Sequence, residues 1–509
     1  MADFEVVEGE LVPIDASGNP LPIADGGTIG STPGIILAGK EGSAARFLEV
    51  TDLSGSKHLR TSPKNEEISP LFVAPPPYFR TDFGEFRTAS PFTLADINFK
   101  YEIDSTEFGT SVATGGTVTY NSSRATASLT VTGSNGSRAR LRTHTFFRYQ
   151  SGKSQAALLT CFHSNAGETN QIRRWGYFGD NDGLFFELNG TTLQLVRRTS
   201  TSGSPVDNVI SRATWNGDKL DGSGPSGITL DLTRANLYEI HMQWLGVANV
   251  RFYVNGILVH TATHANTLTV PYMRTAKLPI QWEIVNTGAS TGATMEAICC
   301  SVKSLGGDAP PEYTYAAYND TDISVGTTER PILSIRPKST YGGINNRMLI
   351  LPVLATIKTE GSRAGWTLRI NPTLTGASFN SVNAKSGVEF DVAATSFTGG
   401  EVLFNGFLPN SNDKDTIYLN GVFSILGRKL RRDAFDTTGD ILTVTAYNEA
   451  AGSTNMRGSI SWGEVRLCLS VPIEISFSSQ AGWNLRNSLT EPISGQLLLS
   501  MNPPQPTEL

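Results

Sequence analysis

Few residues of this chain have the type and spacing that chemistry needs. Asp180-Asn181-Asp182-Gly183 places two carboxylates and an amide ahead of a glycine, between the aromatic runs "RRWGYF" and "LFFELN". A twelve-residue calcium loop takes oxygens at positions 1, 3, 5 and 12 around a glycine at 6. With Gly183 at that glycine, Asp180 and Asp182 take two of the places, but Phe178 and Asn189 fall at the first and last. Neither supplies the bidentate carboxylate. Asx side chains close turns on their own backbone and glycine accepts positive φ, so the tetrapeptide reads as a corner. A second acidic group, Glu102, Asp104 and Glu107 in "YEIDSTEF", would put Glu102 and Asp104 on one face of a strand. A carboxyl pair about 5–5.5 Å apart suits retaining glycoside hydrolysis. The plainer reading is a polar strand end entering a Thr/Gly-rich loop. His260 and His264 are four residues apart, a spacing that gathers metal ligands on a helix. Here "HTATH" follows an Asn-Gly hairpin, so the pair reads as solvent-facing. There is no GxSxG elbow, phosphate loop or dinucleotide fingerprint. No catalytic residue, metal ligand or cofactor site is assigned.

The aromatic residues are more suggestive. Phe185 and Tyr253 fall on the non-core faces of two hairpins, and Tyr177 is placed with them if Trp175 points inward. Such side chains beside Asn, Arg and Asp stack on sugars, seal a protein interface, or are covered by another element. For sugar or interface binding the candidates are Trp175, Tyr177, Asp180, Asp182, Phe185 and Tyr253.

The elements that must carry these residues are strands. The chain has 509 residues, only 17 % of them charged, and 50 glycines. Ser, Thr, Asn and Gly stand where surface helices would carry Lys and Glu. "YEIHMQW" sets Tyr238, Ile240, Met242 and Trp244 on one face. Asn255-Gly256 is the type I′ hairpin signal and would pair Val254 with Ile257, Phe252 with Val259 and Val250 with Thr261. Asn189-Gly190, read the same way, pairs Phe186 with Leu193 and Leu184 with Leu195. The class is all-β: an extended N-terminal arm followed by two antiparallel β-sandwiches.

A net charge of −6 gives no basic surface for nucleic acid. The cluster Arg428-Lys429-Leu430-Arg431-Arg432 reads as a solvated hairpin end. Cys161, Cys299, Cys300 and Cys468 form no metal or disulfide pattern and read as reduced, mostly buried thiols, which fits synthesis in a reducing cytoplasm. No run approaches the ~18 apolar residues of a membrane span, and "MADFEVVEGE" has no apolar signal core.

Along the chain, residues 1–95 are punctuated by proline and glycine ("LVPIDASGNPLPIADGGTIGSTPG", "FVAPPPYF") and hold too few apolar groups to fold alone. They read as an attachment arm, with Ile35, Ile36, Leu37, Phe47 and Leu48 as docking residues. Residues 96–306 read as the main sandwich, 307–317 as a linker, 318–486 as a second sandwich and 487–509 as a polar tail. Pro352, after Met348–Leu351, predicts an edge or a bulge.

Two resemblances attach to these residues. "YEIDSTEF" looks like the ExDxxE signature of laminarinase-type glycoside hydrolases, but Ser105-Thr106 departs from the apolar residues which that family places before its second Glu. That resemblance implies hydrolysis through Glu102 and Glu107. More extensively, "RRWGYFGDNDGLFFELNGTTLQLVRR", "LYEIHMQWLGVANVRFYVNG" and the arm with "GIILAGKEGSAARFLEV" resemble virion structural proteins of tailed bacteriophages, whose members serve as tail-fibre, baseplate or capsid-attached components. It implies a non-enzymatic virion part assembled in the host cytoplasm, partnered by other virion proteins. A closed homo-oligomer is then expected, a trimer being usual for fibres. The strand pattern of 96–306 is similar to laminin-G-like and concanavalin-like lectin folds, which adds a host-surface glycan as a possible partner.

Overall fold

The computed structural model describes residues 3–7, 10–14, 91–306, 312–419 and 429–465. Within them the alternating stretches form strands, paired antiparallel throughout, that build two β-sandwiches inside one compact unit. A hairpin, Asp3–Val7 with Glu10–Ile14, lies near the N-terminus. The expected docking residues Ile35, Ile36, Leu37, Phe47 and Leu48, together with Cys468, fall outside the described residues.

The first sandwich packs a seven-stranded sheet on an eight-stranded one. The seven run in the order Val206–Ser211, Thr192–Thr199, Gly183–Asn189, Gln171–Phe178, Ile280–Asn286, Arg138–Thr143, Phe108–Ala113. The eight begin Ile257–Ala262, Val250–Val254, Asn236–Met242, Gln155–His163, Ala293–Ser304, Thr126–Val131, Thr117–Asn121, and Phe92–Asn98 adds to Ala293–Ser304. Period-two alternation sends one side chain in two between the sheets. There Trp175 stacks on Phe186 at 6.0 Å, Tyr238 meets Trp175 edge-on at 5.1 Å and Phe252 meets Phe186 at 5.6 Å. Each of these buried rings is worth ~3–5 kcal/mol against alanine. Cys161 and Cys300 are buried free thiols, while the adjacent Cys299 is half-buried, as alternation requires.

The second sandwich pairs a five-stranded sheet with a six-stranded one. The five are Glu312–Tyr318, Thr454–Val465, Leu349–Thr359 and Lys414–Tyr418, with Ile323–Val325 also on Thr454–Val465. The six are Asn380–Ser381, Val388–Asp391, Arg330–Pro337, Leu442–Asn448, Ala364–Ile370 and Glu401–Leu408. Its core centres on Trp366 and Trp462, whose indole N–H groups donate to Asp415 (2.9 Å) and Glu464 (3.2 Å). The boundaries differ from the sequence reading at two places. Phe92–Asn98 starts inside the stretch read as arm, and Glu312–Tyr318 starts inside the stretch read as linker. "EYTYAAY" alternates well enough to pair once Thr454–Val465 offers an edge.

Both predicted hairpins form, with changed register. At Asn255-Gly256 both residues have positive φ (50° and 79°) and Val254 pairs with Ile257. A bulge then places Phe252 opposite His260 and Val250 opposite Ala262, while Val259 remains buried in the core. A bulge adds one residue to one strand and reverses the partners beyond it, which hydrophobic pattern alone does not announce. In the other hairpin Asn189 pairs with Thr192, so Gly190-Thr191 makes the turn; Phe186 faces Leu195 and Leu188 faces Leu193. The two-residue slip keeps the inward face. At Pro352 the register shifts against Thr454–Val465, and Leu349–Thr359 is paired on both sides, so the bulge reading holds and the edge reading does not.

Candidate functional site

The outer face of the seven-stranded sheet gathers the charged side chains. One row crosses five strands: Gln194, Glu187, Arg174, Glu283 and Arg140, each directly opposite the next. Arg174 donates to Glu187 at 2.6 Å and to Glu283 at 3.4 Å, Arg140 donates to Glu283 at 2.8 Å, and Gln194 donates to Glu187 at 2.6 Å. Glu187 and Glu283 are 4 % and 3 % exposed, so these carboxylates need their partners. Burial by itself would raise the Glu283 carboxyl, but the charges of Arg140 and Arg174 hold it below the usual range. That is the opposite of the raised carboxyl a general acid needs.

Beside this row lies the acidic tetrapeptide, and it is a corner. Phe178 pairs with Gly183, and the Gly179 N–H donates to the Asp182 carbonyl at 2.9 Å. Asp182 is buried. Its carboxylate accepts from the Ser200 N–H (3.1 Å), the Ser200 hydroxyl (2.7 Å) and the Arg274 N–H (2.8 Å), pinning two neighbouring loops. Asp180 accepts from both terminal nitrogens of Arg142, at 2.6 and 2.9 Å, and from Arg140 at 3.1 Å. Desolvation pushes its carboxyl up, but the Arg142 hydrogen bond and charge, then Arg140 and Arg198, bring it down to about 2. The two aspartates are therefore ligands of their own chain.

The aromatic candidates separate. Trp175 and Tyr177 both point into the core, because residues two apart on a strand share a face; the expectation that Tyr177 faces outward is corrected. Phe185 and Tyr253 do lie on outer faces, yet each is buried. Phe185 forms a small cluster with Phe178 and Val196, under the guanidinium of Arg198 at 5.2 Å. Tyr253 packs against the His241 ring at 4.8 Å. None of the four offers a bare ring to a sugar.

Glu102 is exposed and precedes the turn 105–107, so it does not share a strand face with Asp104 as expected. Asp104 instead closes that turn, accepting from the Thr106 N–H and hydroxyl at 2.7 Å each. Glu107 accepts from Arg431 at 3.0 Å. Arg431 belongs to the second sandwich, and it also donates to Thr145 and to the Thr106 carbonyl. The run read as a solvated hairpin end thus places Arg431 and Arg432 in buried positions, Arg431 in the junction between the sandwiches. Arg347 joins it there: its guanidinium lies 3.6 Å from the Phe146 ring centre and donates to the Asp433 carbonyl (2.7 Å) and to Asp436 (2.5 Å). Arg142 reaches across to the Ala434 carbonyl at 3.1 Å, and His144 accepts the Ala434 N–H at 2.8 Å. Next to these contacts a cleft of about 580 Å³ opens between the sandwiches, bordered by His144, Arg431, Arg432 and Asp440.

The sequence reading missed the charged row, the junction arginines and the burial of His260 and His264. A signal for the row was present: "RARLRT" carries arginine on alternate positions, and "RRWGYF", "FFELN" and "QWEIV" each set charge within a largely apolar strand. Among the described residues no cluster of His, Cys, Asp and Glu could hold a metal ion.

No protein-family model matches this sequence, and no curated protein matches it. Solved structures do show similarity. An endo-β-1,4-glucuronan lyase from the fungus Trichoderma reesei is 9 % identical, with a TM-score of 0.29, covering 43 % of this chain and all of that one. The carbohydrate recognition domain of Emp47p is 11 % identical at a TM-score of 0.28, over 42 % of this chain and 95 % of that one. An endo-1,3-β-glucanase from Streptomyces sioyaensis is 12 % identical at a TM-score of 0.30, over 43 % and 97 %. At these scores the likenesses carry no argument about what the chain binds or does.

Proposed function

We propose that this chain is a non-catalytic structural component of a tailed-bacteriophage particle, which docks through its N-terminal arm and displays two fused β-sandwiches. The observation that carries the reading is where the charged side chains are spent. Arg140, Arg142 and Arg174 brace one sheet face, and Arg142, Arg347 and Arg431 tie the second sandwich to the first. Side chains fixed in this way stiffen a body and are poorly placed to move protons. The likeness of the arm and the first sandwich to virion proteins, and the poverty of the arm in apolar groups, support attachment to a larger partner.

Deletion of residues 1–62 tests it. The truncated chain should stay folded, with an unchanged β-type circular dichroism spectrum, and fail to enter particles in a complementation assay. Normal incorporation of the truncated chain would refute the docking role.

A further inference from the structure

A second cleft, of about 350 Å³, opens between the two sheets of the first sandwich, where the strands Thr192–Thr199 and Val206–Ser211 face Ile257–Ala262. Its floor is core: Leu184, Ile210 and Phe252 line it. Into it points Arg197. This residue stands directly opposite Leu184 in the sheet, and Leu184 is a core side chain, so Arg197 is directed between the sheets. The residue is half-buried, and the part of its guanidinium shut off from water needs an acceptor. Among the described residues no carboxylate pairs with it, and its buried Nε has no hydrogen-bond partner.

The remaining polar groups of the cleft are uncharged. His260 accepts the Asn216 N–H through Nδ1 at 3.3 Å, which leaves a proton on its Nε2 when neutral. His264 donates from Nδ1 to the Ala248 carbonyl at 2.8 Å and stacks on Tyr272 at 4.3 Å. Burial lowers the pKa of both rings and so favours their neutral forms. No Asp or Glu lines the cleft. One unpaired guanidinium, one imidazole N–H and apolar walls are the complement of a single negative charge on an apolar body. Compact cavities of this size hold small ligands, not polymers.

The geometry points to a binding site for a small apolar monocarboxylate, with the carboxylate on Arg197 and the aliphatic or aryl body against Leu184, Ile210 and Phe252. Such a ligand supplies the missing acceptor, and a charged hydrogen bond of this kind is worth roughly ten- to a hundredfold in affinity.

The test is calorimetric titration of the full-length protein with decanoate and with decanol, below micellar concentrations, in wild type, Arg197→Met and Ala262→Trp. Wild type should bind one decanoate per chain and prefer it to decanol at least about tenfold. Arg197→Met should lose that preference while melting at the same or a higher temperature, because a half-buried guanidinium whose Nε is desolvated without a partner adds no stability to the free protein. Ala262→Trp should lose both ligands by filling the cleft. Three outcomes would overturn the proposal: no saturable decanoate binding, an unchanged preference in Arg197→Met, or a clear fall in its melting temperature, which would make Arg197 structural.

Discussion

His163 shows how a single side chain sets a response to pH. It is 1 % exposed, neither ring nitrogen has a partner among the described residues, and the ring packs 4.8 Å from Trp175. Burial, and then the charge of Arg173, push its pKa down to about 3. An unfolded histidine takes its proton near pH 6.5. Between those values the unfolded chain binds a proton that the folded chain refuses, so stability is full above pH 6.5 and falls as pH drops toward 3. The slope from this residue approaches ~1.4 kcal/mol per pH unit. His163→Phe should therefore match or exceed wild type at pH 7.5 and show a shallower acid loss in urea unfolding between pH 6.5 and 4. Parallel curves would contradict the assignment. Histidine content is visible in the sequence, but a strand pattern that ends "TCFH" does not say that the last ring is sealed from water.

For the strands and sheets, the inward faces were legible and the outward ones were not. Alternation identified Tyr238, Ile240 and Met242 as core, and they are. It could not show that Glu187, Arg174, Glu283 and Arg140 align across strands far apart in the chain, because that depends on strand order and register. Glu283→Gln tests the weight of the row. It keeps the shape and removes the charge, leaving Arg140 and Arg174 facing an amide. Breaking a buried pair in this way costs about 3 kcal/mol, so the denaturant midpoint should fall with the unfolding m-value unchanged. An unaltered midpoint would mean that the row is solvated and adds little. The bulge at Val259 is a further miss with a consequence, since it places His260 opposite Phe252 and so helps shape the cleft with Arg197.

For the whole molecule, the junction between the sandwiches is the decisive feature. Arg347 and Arg431 each bridge to the first sandwich, one over Phe146 and the other onto Glu107 and the Thr106 carbonyl. Such a brace couples the two cores. Scanning calorimetry of the wild type should then give one cooperative transition over both sandwiches, and Arg347→Ala/Arg431→Ala should split it into two, the earlier one lowered by several degrees. A single transition that survives the double substitution would place the coupling elsewhere.

By itself the sequence determined the all-β class, the two sandwich regions, the corner at Asp180–Gly183 and the inward face of the Asn189-Gly190 hairpin. These depend on residues within a few positions of one another, where side-chain period and turn chemistry act. The tertiary structure alone decided that Phe185 and Tyr253 are covered, that Arg431 is buried between domains and that Arg197 meets His260 and His264 in one cleft. Alternation tells which way a side chain points; what it meets there is set by chain segments up to hundreds of residues away.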